Sequence, residues 1–283
     1  MMIFPNFLIV GAQKAGTTTL YDILKRHPEV NMSLVKEINF FTSEKKISKG
    51  LEYYSSFFRP PNINQKVTGE ASPGYMNFEG VPKMIKDKLG DIKIVMILRD
   101  PIDRAMSQYW DNRRHLSEFL NESEIVQKYL TEIYSTSSRG YFSRGVYIKY
   151  IKEYLKYFKR EHIHIIILEE LIREPESILL ELYKFLGISS SKETLKLNKA
   201  SNSSIIWDNK LYLYFLNNPS KNIMLPKHLR RFLFFGAKTN YKYPHPSSEI
   251  IKILQDFYEP WNKELESFLG RKMTFWKTSN ANY

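Results

Sequence analysis

The sequence predicts an α/β protein in which a parallel β-sheet is covered by helices on both faces. Short apolar runs that suit buried strands alternate along the chain with segments of helical periodicity. The runs are continuously apolar, which is typical of strands that are buried on both faces of a parallel sheet. Because no linker, repeat or low-complexity segment divides the chain, we expect a single domain over residues 1–283.

The apolar runs and the periodic segments give each element its place. The predicted strands are Phe7–Val10, Val67–Gly69, Lys93–Leu98 and His162–Leu168. Apolar side chains that recur every three to four residues predict helices over residues 17–26, 81–89, 101–115, 146–159, 175–186 and 247–269. Residues 189–245 are less periodic and rich in asparagine, serine and aromatic side chains. We expect this region to cover a ligand site.

The composition indicates a globular chain without cysteine chemistry. Its hydrophobic fraction is 43% and its charged fraction is 25%, which is ordinary for a soluble protein. The chain has no cysteine, and this excludes disulfides and thiolate metal sites and suits a reducing compartment. The N-terminus enters the first predicted strand at once, and no apolar run is long enough to cross a bilayer. We therefore expect a soluble, cytoplasmic protein without a membrane partner.

The net charge of +12 suits two kinds of partner, nucleic acid or a small polyanion. The basic residues are scattered, and acidic residues interrupt most of their clusters. Zinc-finger spacing, an RNP-like aromatic run and a basic tail are all absent from the sequence. This pattern favours a small anionic ligand over nucleic acid.

A glycine loop between the first predicted strand and helix predicts a phosphate site. It reads Gly11-Ala12-Gln13-Lys14-Ala15-Gly16-Thr17-Thr18. Glycines let the backbone turn tightly, and the free N–H groups and dipole of the next helix favour an anion. In a nucleotide triphosphatase the lysine directly follows the second glycine. Here Thr17 has that position and Lys14 precedes Gly16, so we expect phosphate binding of a different kind.

Polar side chains also follow the second and third predicted strands. Glu70 and Arg99 lie at these strand ends, and the helix after Arg99 carries Ser107. Because the carboxyl ends of parallel strands meet at one edge of a sheet, we expect Lys14, Glu70 and Arg99 to converge there. An arginine offers a planar fork to a second phosphate. Taken alone, Glu70 is more typical of a solvated loop carboxylate, and Arg99 is more typical of a surface turn with an internal ion pair.

These motifs resemble those of sulfotransferases that use 3′-phosphoadenosine-5′-phosphosulfate (PAPS). The resemblance is to the branch that includes heparan sulfate and related carbohydrate sulfotransferases, here as a soluble bacterial-type member. The matching segments are Gly11–Leu20, Lys36–Phe41, Gly69–Tyr75, Ile97–Ser107, Arg144–Tyr147 and Phe185–Gly187. The likeness covers nearly the whole chain, and its most specific part is Lys14 together with Arg99 and Ser107.

The resemblance implies in-line transfer of a sulfuryl group from PAPS to a carbohydrate or small-molecule hydroxyl or amine, leaving 3′,5′-bisphosphoadenosine (PAP). It implies no metal, and it implies catalytic roles for Glu70 as general base and for Lys14 and Lys36. Arg99 and Ser107 would hold the 3′-phosphate. The full set of implied cofactor contacts is Gly11, Gln13, Lys14, Ala15, Gly16, Thr17, Thr18, Arg99, Ser107, Lys238, Tyr241 and Lys242.

The chain departs from the family in its nucleotide-covering loop. The family's Lys-Gly-Arg positions hold Thr239, Asn240 and Tyr241, and Lys238 or Lys242 is the candidate substitute. The family also often has lysine where this chain has Ala71.

We expect the acceptor to be bound on or just after the helix that carries Ser107. The candidate contacts are aromatic or basic residues, namely Trp110, Arg113, Arg114 and His115. Such side chains suit a sugar, an anionic glycan or a hydroxylated small metabolite. His115 is the alternative to Glu70 as the general base.

Two other functions compete with sulfuryl transfer. A P-loop nucleotide kinase is disfavoured by Thr17 in the lysine position and by Arg99 where a magnesium carboxylate would follow the strand. A basic nucleic-acid-binding protein is supported by net charge alone.

Overall fold

The computed structural model describes residues 2–115, 120–130, 140–191, 205–207, 210–218, 220–221, 226, 238–240 and 246–276. The chain folds as two units. The first unit comprises Met1–Asp100 and Val146–Lys199, and the second comprises Pro101–Gly145 and Ala200–Tyr283. That the whole chain is one domain stays a prediction.

The first unit is built on a parallel sheet of five strands in the order β2-β3-β1-β4-β5. The strands are β1 (Phe7–Gly11), β2 (Val30–Met32), β3 (Val67–Ala71), β4 (Lys93–Leu98) and β5 (Ile163–Ile167). Nearly every residue in them is buried. The predicted parallel sheet is confirmed. Strand β2 was not predicted, because its three residues are too few to form an apolar run.

The helices follow in chain order through both units. The described ones are α1 (Thr17–Arg26), α2 (Glu44–Ile47), α3 (Gly50–Ser55), α4 (Val81–Leu89), α5 (Pro101–Arg114), α6 (Glu122–Leu130), α7 (Tyr147–Leu155), α8 (Leu168–Arg173), α9 (Pro175–Leu186), α10 (Lys210–Asn217) and α11 (Ser248–Leu269). All six predicted helices are present, and α7 ends before residue 159 because Tyr157 N–H bonds the Tyr154 carbonyl, 3.0 Å away, and tightens the chain.

Side chains cover the sheet of the first unit on both faces. On one face, Phe7 and Ile9 of β1 pack in a core with Leu20 of α1 and Leu182 of α9. Successive residues of a strand point to opposite faces, so Leu8 faces the other side. There α4, α7 and the 3₁₀ turn Pro73–Asn77 contact one another. The prediction of helices on both faces is therefore confirmed.

Gly69 leaves room for the Phe7 ring, which is fully buried in this core. A Cβ added at Gly69 would lie 2.0 Å from Phe7 Cζ. We expect Gly69→Ala to lower the free energy of unfolding by about 1–3 kcal/mol through overpacking. Urea denaturation measures this change. Gly74→Ala is the matched control, since its Cβ would meet only Gln13 Nε2 at 3.7 Å and Asn39 Oδ1 at 3.9 Å; equal losses in the two variants would contradict the explanation.

The second unit holds α5, α6, α10 and α11 together with an antiparallel pair of strands, β6 (Ile205–Trp207) and β7 (Lys238–Asn240). Helix α11 contacts α5 and α6. Arg104 of α5 is fully buried and donates hydrogen bonds to Gln108 Oε1 and to the Tyr141 carbonyl. In the part of the chain that the structure describes, every helix is too short or too polar to cross a bilayer.

Candidate active site

The strand order sets the ends of β3, β1 and β4 side by side at the carboxyl edge of the sheet. Three loops leave this edge, at residues 12–16, 72–78 and 99–100. A fourth segment, 33–41, follows the neighbouring strand β2. Open α/β sheets bind ligands at this edge. The sequence-predicted residues Lys14, Glu70 and Arg99 all belong to it, as predicted.

The glycine loop is held to the sheet and shaped for an anion. Ala12 N–H donates to the Ile97 carbonyl at 2.7 Å. Gly16 has φ 91°, and a Cβ there would lie 2.7 Å from Leu168 Cδ1, so both conformation and space require glycine. Helix α1 starts at Thr17 without an acidic side chain in its first turn. Its leading N–H groups have no intrahelical acceptor and carry partial positive charge.

Lys14 and Arg99 come together at this loop. Arg99 Nη1 donates to the Lys14 carbonyl oxygen at 3.3 Å, and Tyr147 OH donates to the Arg99 carbonyl at 2.7 Å. Lys14 has φ 66°, the left-handed region that few residues other than glycine adopt. Lys14 thus lies in the loop before α1 and Arg99 contacts that loop, which is a setting for a ligand with more than one anionic group.

The other predicted loop contacts lie around these two cations. Gly11, Ala15 and Thr17 are buried, whereas Gln13, Gly16 and Thr18 are partly exposed. Among the residues that the structure describes, no group of three or more histidine, aspartate or glutamate side chains could hold a metal ion.

Glu70 is fully buried at the end of β3. Its Oε1 accepts hydrogen bonds from Ser72 Oγ at 2.5 Å and Tyr75 OH at 2.9 Å, and its Oε2 accepts one from Tyr54 OH. Burial raises the pKa of Glu70, while the three hydroxyl donors and the charge of Lys46 oppose that rise. Both carboxylate oxygens are therefore engaged inside the protein.

This geometry differs from that of a base open to an acceptor, and the role of Glu70 as general base stays a prediction. A general base must come within hydrogen-bond reach of the proton that it takes. Glu70 has no exposed surface and already accepts three hydrogen bonds. The structure gives it partners that suit a residue holding other groups in place.

Glu37 is a carboxylate at this edge that solvent reaches. Its side chain is 48% exposed, and Oε1 lies 2.5 Å from Nζ of Lys36, whose side chain is 18% exposed. Glu37 N–H donates to the Ala71 carbonyl at 2.8 Å, which ties the residue to the end of β3. Glu37 and Asn39 both have positive φ, at 61° and 51°. Such backbone is costly and persists where surrounding contacts determine it, often at functional sites.

Within the matching segment Lys36–Phe41, a catalytic role was predicted for Lys36 and none for Glu37. The signal that could have found Glu37 is its place directly beside that lysine.

Two of the predicted acceptor contacts are buried in the second unit, and their role in acceptor binding stays a prediction. Trp110 is 7% exposed and Arg113 is 4% exposed. Arg113 Nη1 donates to Tyr109 OH at 2.9 Å, and its Nη2 donates to the Leu216 carbonyl of α10. Arg113 thus joins α5 to α10, and its guanidinium lies 5.5 Å from the Trp110 ring.

The remaining predicted residues of the second unit are more accessible. Ser107 and Arg114 are partly exposed, and Arg114 pairs with Asp111. His115 is exposed, with Nδ1 2.8 Å from the Asp111 carbonyl oxygen. Lys238 lies in β7, and Tyr241 and Lys242 lie outside the described residues. The roles of all these residues stay predictions.

A family model described as "Sulfotransferase domain" matches residues 4–273 of the chain. The chain is 28% identical to heparan sulfate glucosamine 3-O-sulfotransferase 5 of Mus musculus over 276 residues, 96% of this chain and 74% of that protein. It is 30% identical to bifunctional heparan sulfate N-deacetylase/N-sulfotransferase 4 of Mus musculus over 278 residues, 94% of this chain and 30% of that protein. A solved sulfotransferase structure from Alicyclobacillus acidocaldarius superposes with a TM-score of 0.70 at 24% identity, covering 97% of this chain and 99% of the other.

Proposed function

The chain belongs to the sulfotransferase domain family, and we propose that it transfers a sulfuryl group from PAPS to a carbohydrate hydroxyl or amine and leaves PAP. The cofactor assignment rests on Lys14 in the loop before α1 and on Arg99, which donates to the backbone of that loop. The names of the heparan sulfate relatives support a carbohydrate as acceptor.

The residues at the carboxyl edge fit a ligand with two separate anionic groups. Lys14 and the leading N–H groups of α1 suit the 5′-phosphosulfate, because a lysine and a helix N-terminus together stabilise negative charge. The planar fork of Arg99 suits the 3′-phosphate. Ser107 lies in the second unit, and its contact with this phosphate stays a prediction.

Transfer of a sulfuryl group needs stabilised charge on the leaving phosphate and a base for the acceptor proton. Lys14 and the α1 N–H groups supply the first, as positioned charges do in phosphoryl transfer. We propose that Glu37 supplies the second, because it is the exposed carboxylate tied to the end of β3. Lys36, 2.5 Å from Glu37, is placed to orient that carboxylate and to stabilise negative charge beside it.

The direct test of this function is transfer of radiolabelled sulfate from PAPS to a panel of glycans. The panel holds heparan sulfate, its N-desulfated and O-desulfated forms, and a simple phenol. We expect label in a glycan and none in the phenol. Label in the phenol alone would contradict the carbohydrate assignment, and absence of transfer to every acceptor together with failure to bind PAP would contradict the function.

Arg99 gives the cofactor assignment a sharper test. We expect Arg99→Ala to weaken PAP binding by about 1.5–3 kcal/mol, the cost of a lost charge-assisted hydrogen bond. Binding of adenosine-5′-phosphosulfate should change much less, since that nucleotide lacks the 3′-phosphate. Calorimetric titration of both ligands measures the difference. Arg173→Ala, which removes an arginine from an exposed pair with Glu174, is the control; equal losses for the two nucleotides in Arg99→Ala would contradict the assignment.

A further inference from the structure

We infer that Glu70 is a positioning residue: its buried carboxylate fixes the backbone of residues 36–41 through the hydroxyls of Ser72 and Tyr75. We call residues 36–41 the Lys36 segment. The inference rests on the proposed function, because this segment carries Lys36 and Glu37. It assigns Glu70 to the reaction without contact between Glu70 and the acceptor.

The three hydrogen bonds to the Glu70 carboxylate all come from hydroxyl donors. Tyr54, Ser72 and Tyr75 each donate their single hydroxyl proton to the carboxyl oxygens of Glu70. A hydroxyl that has donated its proton is left with lone pairs alone. Glu70 therefore turns the oxygens of Ser72 and Tyr75 into acceptors for other groups.

The hydroxyl oxygens of Ser72 and Tyr75 accept hydrogen bonds from the backbone. Ser72 Oγ accepts from Asn39 N–H at 2.9 Å. Tyr75 OH accepts from Phe40 N–H at 2.8 Å and, at 3.4 Å, from Phe41 N–H. Three successive backbone N–H groups of the Lys36 segment thus end on the two hydroxyls that Glu70 orients.

The Lys36 segment needs these hydrogen bonds because part of its backbone is in an unfavourable conformation. Positive φ at Glu37 and Asn39 is unfavourable for residues with a side chain. Lys46 Nζ also holds the segment by donating to the Ile38 carbonyl. The rings of Phe40 and Phe41 pack against the ring of Tyr54, with centroid-to-centroid distances of 4.7 Å and 5.5 Å. The buried network sets the path of the chain that carries the partly exposed Lys36 and the exposed Glu37.

The cost of burying a carboxylate supports the same conclusion. A buried charge is retained at a price in stability unless its hydrogen bonds are complete, and apolar replacements are often as stable. Glu70 has three hydroxyl donors, and the oxygens of Ser72 and Tyr75 in turn bind the Lys36 segment. The network therefore contributes a defined backbone rather than stability alone.

A matched pair of tyrosine variants tests the inference. Tyr75→Phe and Tyr54→Phe each remove one phenol donor from Glu70, but only Tyr75 also accepts N–H groups of the Lys36 segment. We expect amide hydrogen exchange of Phe40 and Phe41 to rise by about tenfold in Tyr75→Phe, the effect of one lost hydrogen bond, and to change by less than about threefold in Tyr54→Phe. kcat should fall by about tenfold in Tyr75→Phe while the affinity for PAP is unchanged.

Glu70→Gln separates a positioning residue from a base. The amide oxygen still accepts from Ser72 and Tyr75, and the amide nitrogen can donate to Tyr54 OH. We expect this variant to keep kcat within about tenfold of wild type and to keep the acid limb of the pH profile. A loss of about 10²-fold or more with unchanged exchange of residues 39–41 would make Glu70 the base and overturn the inference.

Failure of the proposed function can be distinguished from failure of the inference about Glu70. If the wild-type protein binds no PAP, the function is contradicted, and hydrogen exchange in the two tyrosine variants still decides whether Glu70 holds the Lys36 segment. Unchanged exchange in Tyr75→Phe overturns the inference whether or not PAP binds.

Discussion

Replacing Lys14 with alanine is expected to lower kcat/KM for sulfuryl transfer by about 10²–10³-fold, the usual effect of removing a group that stabilises charge in the transition state. The loop keeps its shape without this side chain, because the Ala12–Ile97 hydrogen bond and Gly16 determine its path. The loss should therefore be chemical, and the unfolding midpoint should stay near that of wild type. Steady-state kinetics with PAPS and the accepted glycan measure it.

Lys25→Ala is the control for this variant. Lys25 lies in the last turn of α1 and is exposed, so its replacement removes the same charge from the opposite end of the same helix. The kinetics of this variant should match those of wild type. Equal losses in the two variants would mean that the effect is one of net charge and would contradict a specific role for Lys14.

Replacing Glu37 with glutamine is expected to lower kcat by about 10²–10⁴-fold, the range for loss of a general base. Glutamine keeps the size of the side chain but does not take up a proton at neutral pH. The affinity for PAP should be retained, since Glu37 carries negative charge and is not assigned to the phosphates. Single-turnover kinetics at saturating PAPS, with parallel PAP titration, separate the two effects.

A control variant and variants of the other candidate bases are measured together with Glu37→Gln. Glu52→Gln, at an exposed position of α3, controls for the loss of a surface carboxylate. His115→Asn removes the exposed imidazole after α5. If Glu37→Gln turns over normally and His115→Asn does not, His115 is the base; if Glu70→Gln alone is inactive, the sequence-based assignment of Glu70 is restored.

The sheet and the glycine loop could be predicted because their signals are local. A continuous apolar run identifies β1, the glycines identify the loop, and helical periodicity identifies α1. β2 has only three residues, one of them Asn31, and α3 has only six. Neither is long enough to show a period, so Tyr54 of α3 could not be placed against Glu70 in advance.

The burial of Glu70 depends on contacts between distant segments. Ser72 and Tyr75 are near it in sequence, but Tyr54 and the Lys36 segment reach it only through the fold. A carboxylate after a strand is therefore the same sequence signal whether it is exposed or enclosed.

The burial of Arg113 is different, because the sequence does contain its signal. Ala105, Tyr109 and Arg113 are four residues apart and share one face of α5. That face is buried, and extending the periodicity to Arg113 would have predicted a packing role. The cytoplasmic location and the nucleotide contacts of Tyr241 and Lys242 stay predictions.

Calorimetric titration of the wild-type protein with PAP in the presence of a chelator tests directly whether the site binds two phosphates without a metal. The Lys14 loop and Arg99 supply positive charge for two phosphates from the chain itself. We expect saturable binding of one PAP per chain, competition by PAPS, and weaker binding of ATP with magnesium and of an oligonucleotide. Tighter binding of ATP with magnesium, or of the oligonucleotide, than of PAP would contradict it.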